Sequence, residues 1–204
     1  AANEPHNKNH SFETLYNFKS ANRPILFHTK NEHSALRALN ISDEFNLKPW
    51  LLGSGYEYRR LTEISKHNPF IILPMDLPAK PKISDPNIAL QYTTDQLKHW
   101  DMAPEKFSKI QDAGIFFSLS SHGLKKKSQF RTNLARIIDR GFSKDVALAS
   151  ITTYPAEAMG ASKTLGKIAP GFMANLVIVD GDYFDPKSKI LSVWVGGEEH
   201  FISD

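Results

Sequence analysis

The sequence predicts an α/β fold: four strand–helix units on a parallel sheet, followed by a small antiparallel β piece. Three observations carry this. Short apolar runs recur without polar alternation, which marks strands covered on both faces. Each run is followed by apolar residues at helical spacing, the grammar of parallel βα units. From Ala174 onward β-rich segments appear with no helix after them.

The first unit is Pro24-Ile25-Leu26-Phe27-His28, followed by Leu36, Leu39 and Ile41 in a segment of helical character. The second runs from Leu47 to Leu52 and is ended by Gly53-Ser54-Gly55, after which Tyr58, Leu61 and Ile64 recur at helical spacing. Phe70-Ile71-Ile72-Leu73, ended by Pro74, is the third strand. A long proline-rich excursion through Pro78, Pro81 and Pro86 follows it, the kind of connection that lies over a working face. Pro104 fits the first turn of a helix that stops at Gly114, and Ile115 to Leu119 is the fourth strand. Phe130, Leu134, Ile137 and Ile138 form an amphipathic helix stopped at Gly141, and Ser143 caps another carrying Val146, Leu148 and Ile151. Ala174–Val179 and Ile190–Val195 are the antiparallel strands. Ahead of all this, residues 1–22 have apolar side chains only at Phe12, Leu15, Tyr16 and Phe18, beyond the alanines. They read as an extension of one or two helical turns with little function.

Composition sets outer limits. A chain of 204 residues that is 41% hydrophobic can bury a core. The absence of cysteine excludes a disulfide framework, thiolate zinc sites and a cysteine nucleophile together. No run of about 18 apolar residues and no charged-then-apolar leader is present, so no membrane span or export signal is expected in the chain as given. The net charge of +3 comes from 25 basic and 22 acidic residues scattered along the chain, a weak footprint for a nucleic-acid binder. The one basic run, Lys125-Lys126-Lys127, reads as a solvated loop in preference to an anion site.

The end of the chain carries a family resemblance. Ala147-Leu148, Thr152, Pro155-Ala156 and Met159-Gly160 are followed by Leu165-Gly166-Lys167-Ile168-Ala169-Pro170-Gly171, then Ala174-Asn175-Leu176-Val177-Ile178 and Val193-Trp194-Val195-Gly196-Gly197. In this order they resemble the C-terminal signature of the amidohydrolase superfamily, of the imidazolonepropionase-like kind. Asn175 stands where that family usually has Asp. The segment from Asp95 to Trp100, with Gly114 to Gly123, also resembles degenerate amidohydrolase-like halves of large bacterial proteins.

The resemblance implies a partial (β/α)8 TIM barrel, with strands five to eight at 23–160, and a C-terminal β-sandwich piece at 161–204. It implies a small-molecule substrate and hydrolysis of carbon–nitrogen bonds. It also implies a divalent, zinc-like metal held at the C-terminal mouth of the barrel, where such folds gather their catalytic groups. His28 matches the strand-five metal ligand. Where the strand-six histidine is wanted stand Gly53, Ser54 and Gly55. Where the strand-eight aspartate is wanted stand Ser118, Ser120, Ser121 and His122, so His122 is the second, weaker metal candidate. No Gly-x-Ser-x-Gly elbow surrounds these serines, so no serine nucleophile is read there. Glu57, Asp76, Asp85 and Asp95 fall near the mouth loops as pocket carboxylates or solvated ones. A periplasmic or cytoplasmic bacterial setting fits equally.

Two expectations are geometric. His28 and the serine-rich stretch at His122 should end neighbouring parallel strands on one rim. Four strands cannot close a barrel, so the open edge and face should be covered by a second copy or by the remainder of the same polypeptide.

Overall fold

A computed structural model describes residues 10–202. Helix α1 (His10–Ser20) precedes β1 (Pro24–His28), α2 (Glu32–Glu44), β2 (Lys48–Leu52), α3 (Leu61–Ser65) and β3 (Phe70–Pro74). After the excursion come α4 (Pro86–Ala89), α5 (Thr94–Met102), α6 (Lys106–Asp112), β4 (Phe116–Ser120), α7 (Gln129–Asp139), α8 (Lys144–Ile151) and α9 (Thr153–Ala158). The chain then forms β5 (Leu176–Val179), β6 (Ile190–Val195) and β7 (Glu198–Phe201).

Strands β1 to β4 form one parallel sheet in the order β1-β2-β3-β4. Pro24 opens an edge strand, and Pro49 precedes the β2–β3 ladder, which starts at Trp50↔Phe70; neither missing N–H interrupts a central ladder. Register decides the faces. Phe27, Leu51, Ile71 and Phe117 lie in one row and pack toward the helices, where Leu51, Ile71 and Phe117 join Leu39, Ile64, Phe107, Leu134 and Ile137 in the core. The adjacent row points the other way: Leu26, Trp50, Phe70 and Phe116 are in register, with ring separations of 5.0 Å for Trp50–Phe70 and 5.5 Å for Phe70–Phe116. Tyr154 extends the row at 4.7 Å from Phe116. This is the face a closed barrel turns inward, and Leu26 upon it is 54% exposed.

The short helices have local causes. Asn31 caps α2 by accepting from Ser34 N at 2.8 Å, while Ser34 Oγ accepts from Asn31 N at 3.0 Å, a reciprocal capping box. Thr93 and Gln96 cap α5 the same way. The helix expected through Tyr58, Leu61 and Ile64 is instead a 3₁₀ turn at Glu57–Arg59 followed by the five residues of α3. Its start is bent because Glu57 turns back to bind the loop before it, as described below. The helix expected from Pro104 begins at Lys106, and Gly114 ends it at φ +69°.

The second sheet is antiparallel, ordered β5-β6-β7. Arg131 of α7 holds its β5–β6 connection against the barrel portion: Nε donates to Tyr183 O at 3.0 Å, Nη1 to Ser188 O at 2.8 Å and Nη2 to Asp185 O at 2.6 Å. Asn175 keeps the acceptor that an aspartate would offer, since its Oδ1 receives Gly196 N at 2.8 Å and ties β5 to the β6–β7 turn. Gly166 is required by close approach: at φ +88°, a Cβ there would lie 2.8 Å from Thr152 O.

Candidate functional site

All four parallel strands end on one rim, and the groups the sequence singled out lie there. His28 is the last residue of β1, and two residues beyond the end of β4 comes His122. Their rings meet edge to face with centroids 5.9 Å apart. They do not end neighbouring strands, contrary to expectation: β1 and β4 are the two edges of the sheet, with β2 and β3 between them. A flat four-stranded sheet would keep those edges roughly 14 Å apart, three spacings of about 4.8 Å. The right-handed twist and coil of the sheet, together with the reach of two side chains into its concave side, close that gap. Both residues are solvent-exposed, and neither ring nitrogen hydrogen-bonds a described residue. The backbone N–H of His122 donates to Ser120 Oγ at 3.1 Å, which folds the loop back over the end of β4.

Between these edges the rim is built differently. Glu57 is 0% exposed and grips the loop after β2: Oε1 accepts from Ser54 N at 2.6 Å and Ser54 Oγ at 2.8 Å, and Oε2 accepts from Gly55 N at 2.9 Å. Its neighbour is the buried Lys106, 2% exposed, whose Nζ lies 3.0 Å from where a Cβ on Gly55 would stand. Burial pushes the Lys106 ammonium down to about 8, with Glu57 and Asp76 pulling the other way. Beyond it, His99 stacks on Tyr56 at 3.9 Å and its Nδ1 lies 3.2 Å from Tyr58 Oη. Desolvation first, then the Lys106 and Arg59 cations, hold His99 below the ordinary imidazole range. Arg59 covers Tyr56 at 4.7 Å and pairs with Asp95 at 2.8 Å.

The four carboxylates read as mouth groups therefore part ways. Glu57 is a buried loop anchor and Asp95 an ion-pair partner; Asp85 caps α4 by accepting Asn87 N at 2.9 Å. Asp76 alone lines a cleft. Lys106 was missed by sequence reasoning because a lysine in a helical segment reads as surface. Only its place beside the apolar Phe107 and four before the apolar Ile110 hinted otherwise. Of Gly53, Ser54 and Gly55, the backbone donors of the last two are already occupied by Glu57 and that of Gly53 by Ile72 O.

A catalytic zinc takes three protein ligands and leaves one position open. Among the described residues no group of three or more His, Asp or Glu side chains converges to hold a metal ion. His28 and His122 bring only two imidazoles together, and no chemical step is derived through a metal here.

Comparison with known proteins gives the class. Residues 104–200 match the Amidohydrolase family, and the parallel half-barrel is shared with solved amidohydrolase-type structures. Over residues 104–200 the chain is thus similar to the amidohydrolase family. An amidohydrolase from Thermotoga maritima MSB8 superposes with a TM-score of 0.75 at 21% identity, covering 97% of this chain and 48% of that one. A Xaa-Pro dipeptidase with methionine bound in its active site superposes with a TM-score of 0.67 at 14% identity, covering 92% and 47%. Among curated proteins, Amidohydrolase tasK of Hapsidospora irregularis is 39% identical over 61 residues, 30% of this chain and 6% of that protein. The chain thus spans about half the length of the solved structures and a small part of the curated relative. The match reaches the family and not the imidazolonepropionase-like kind within it. Amidohydrolases are generally metal-dependent.

Proposed function

We propose that this chain contributes four strands to an amidohydrolase-type hydrolase of non-peptide carbon–nitrogen bonds in a small molecule. On this reading His28 and His122 supply two imidazoles to a zinc-like centre whose other ligands come from the polypeptide that completes the barrel, and the chain by itself is inactive. The observation carrying the reading is the 5.9 Å meeting of the His28 and His122 rings over the concave face, between strands that the sheet order puts farthest apart. Two exposed, unpartnered imidazoles at the C-terminal rim are available to a ligand in a way that buried groups are not.

The covering partner is either the remainder of the same polypeptide or a second copy. Leu26, exposed on this face, with Trp50 and Phe116 only half-buried in the same row, supports a covered face, since exposed apolar surface marks an interface. A clean monomer in light scattering, with that face still wet, speaks against it.

A second reading has its own support. Glu57 occupies the backbone donors of Ser54 and Gly55, in the loop where the family resemblance asks for a histidine. A rim whose Ser54 and Gly55 donors are filled in this way suits a non-catalytic domain kept for ligand binding or assembly. Zinc content and amide or cyclic-amide hydrolysis, measured on the barrel-completed protein and on its His28→Ala variant, separate the two. The hydrolase reading expects both to fall in the variant. Unchanged metal content and turnover would overturn it.

A further inference from the structure

A second polar feature sits outside the His28–His122 pair. Between the loop after β3 and the first turns of α7 lies a cleft of about 590 Å³ in which Lys80, Lys125 and Arg136 surround Asp76, Gln129 and Asn133. Three cations face one carboxylate, so the cleft carries two net positive charges when all four are ionised. None of the three cations forms an ion pair or a hydrogen bond with a described side chain, although Arg140, one turn further along, has both Asp101 and Glu105. Here three cations are gathered around one cleft.

The walls are fixed. Arg136 lies over the Trp100 ring at 5.8 Å, which restricts a long side chain that solvent would otherwise leave free. Asn133 Nδ2 donates to Met75 O at 2.7 Å, tying α7 to the start of the β3 loop, and Met75 is itself fully buried. Gly123 at φ +80° forms the far edge, where a Cβ would stand 3.1 Å from Asp76 Oδ2. The loop on that side thus packs directly on the acid. What converges is a guanidinium with its fork of donors, two ammonium groups and two carboxamides: the donor set that recognises a compact oxyanion.

We propose that this cleft binds a small molecule through a doubly charged oxyanion, a phosphate group or a pair of carboxylates, with Arg136 as the anchor and Lys125 and Lys80 as the flanking charges. The site is independent of the metal reading, since none of its residues belongs to the His28–His122 pair. It gives the Lys125-Lys126-Lys127 run two roles: Lys125 faces the cleft, while Lys127 Nζ is spent on Ser121 O at 3.1 Å.

The test is titration of the chain with inorganic phosphate and, separately, with succinate, by calorimetry at constant ionic strength held with sodium chloride. Saturable one-to-one binding of at least one of the two is expected, and whichever binds more tightly identifies phosphate or dicarboxylate as the preferred source. Arg136→Gln should weaken it about tenfold or more, the loss of one charge-assisted contact. Lys125→Gln, on an exposed loop where folding is not at stake, should weaken it several-fold, and Lys163→Gln, remote from the cleft, should leave it unchanged. Binding of neither anion beyond the chloride control, or equal affinity in the wild type and in Lys125→Gln, would overturn the proposal.

Discussion

The two halves of the rim, one built on Glu57 and Lys106 and the other on His28 and His122, use polar residues in opposite ways. Glu57 is fully buried and every oxygen is occupied, so its conformation is fixed by the loop it binds. His28 and His122 are exposed and touch chiefly each other. A buried, saturated carboxylate contributes to stability and has no valence left for chemistry; an exposed imidazole contributes little to stability and keeps both nitrogens free. The lesson is that proximity to the barrel mouth does not make a functional group. Of the carboxylates that the sequence placed near it, Glu57 is structural.

That contrast can be broken by substitution. Glu57→Ala should have the largest effect: it orphans three donors of the β2 loop and removes a negative charge beside a buried lysine, a loss of about 3–5 kcal/mol. Thermal unfolding should show a midpoint lower by roughly 10 °C or more; a shift of only a degree or two would mean that the loop stands without its anchor. Lys106 gives a pH-dependent counterpart of somewhat smaller size. Its folded value, about 8, lies below the ordinary lysine value of 10.5, so between them the unfolded chain binds more protons than the folded one. Stability should therefore rise as pH climbs from about 8 toward 10.5, by on the order of 3 kcal/mol if the whole shift is realised. Lys106→Met should flatten that rise in denaturant titrations taken at successive pH values; an identical pH slope in wild type and variant would show that the ammonium is solvated. Least affected should be His28→Ala, whose unfolding free energy should stay within about 0.5 kcal/mol of wild type. A larger loss would move His28 into the structural half of the comparison.

Much of the fold could be read from the residues. The four apolar runs became β1 to β4 within a residue or two, because a strand buried on both faces needs such a run and little else does. Gly114 and Gly141 end helices at positive φ as their positions suggested, and Ser143 caps α8 with its oxygen accepting from Val146 N at 3.5 Å. Other elements were overlooked although a signal was present: the Thr93-x-x-Gln96 box announces α5 inside what read as a proline-rich loop. Strand β7, Glu198–Phe201, had almost none, since all four of its residues are exposed and no apolar pattern marks it. It exists because the Gly196-Gly197 turn folds it back onto β6.

The candidate site was legible in kind and not in arrangement. Sequence order alone determined that His28 and His122 follow parallel strands and so share a rim, because every strand of a βα series ends on the same side. Tertiary structure alone decided that two strands separate them and that the curl of the sheet brings them together anyway. It alone decided that Glu57 is buried while Asp76 lines a cleft, and that Lys80, Lys125 and Arg136 meet although 56 positions separate the first from the last. The reason is physical: strand and helix signals are local and periodic, whereas the burial of a charge and the convergence of side chains depend on packing between segments remote in the chain.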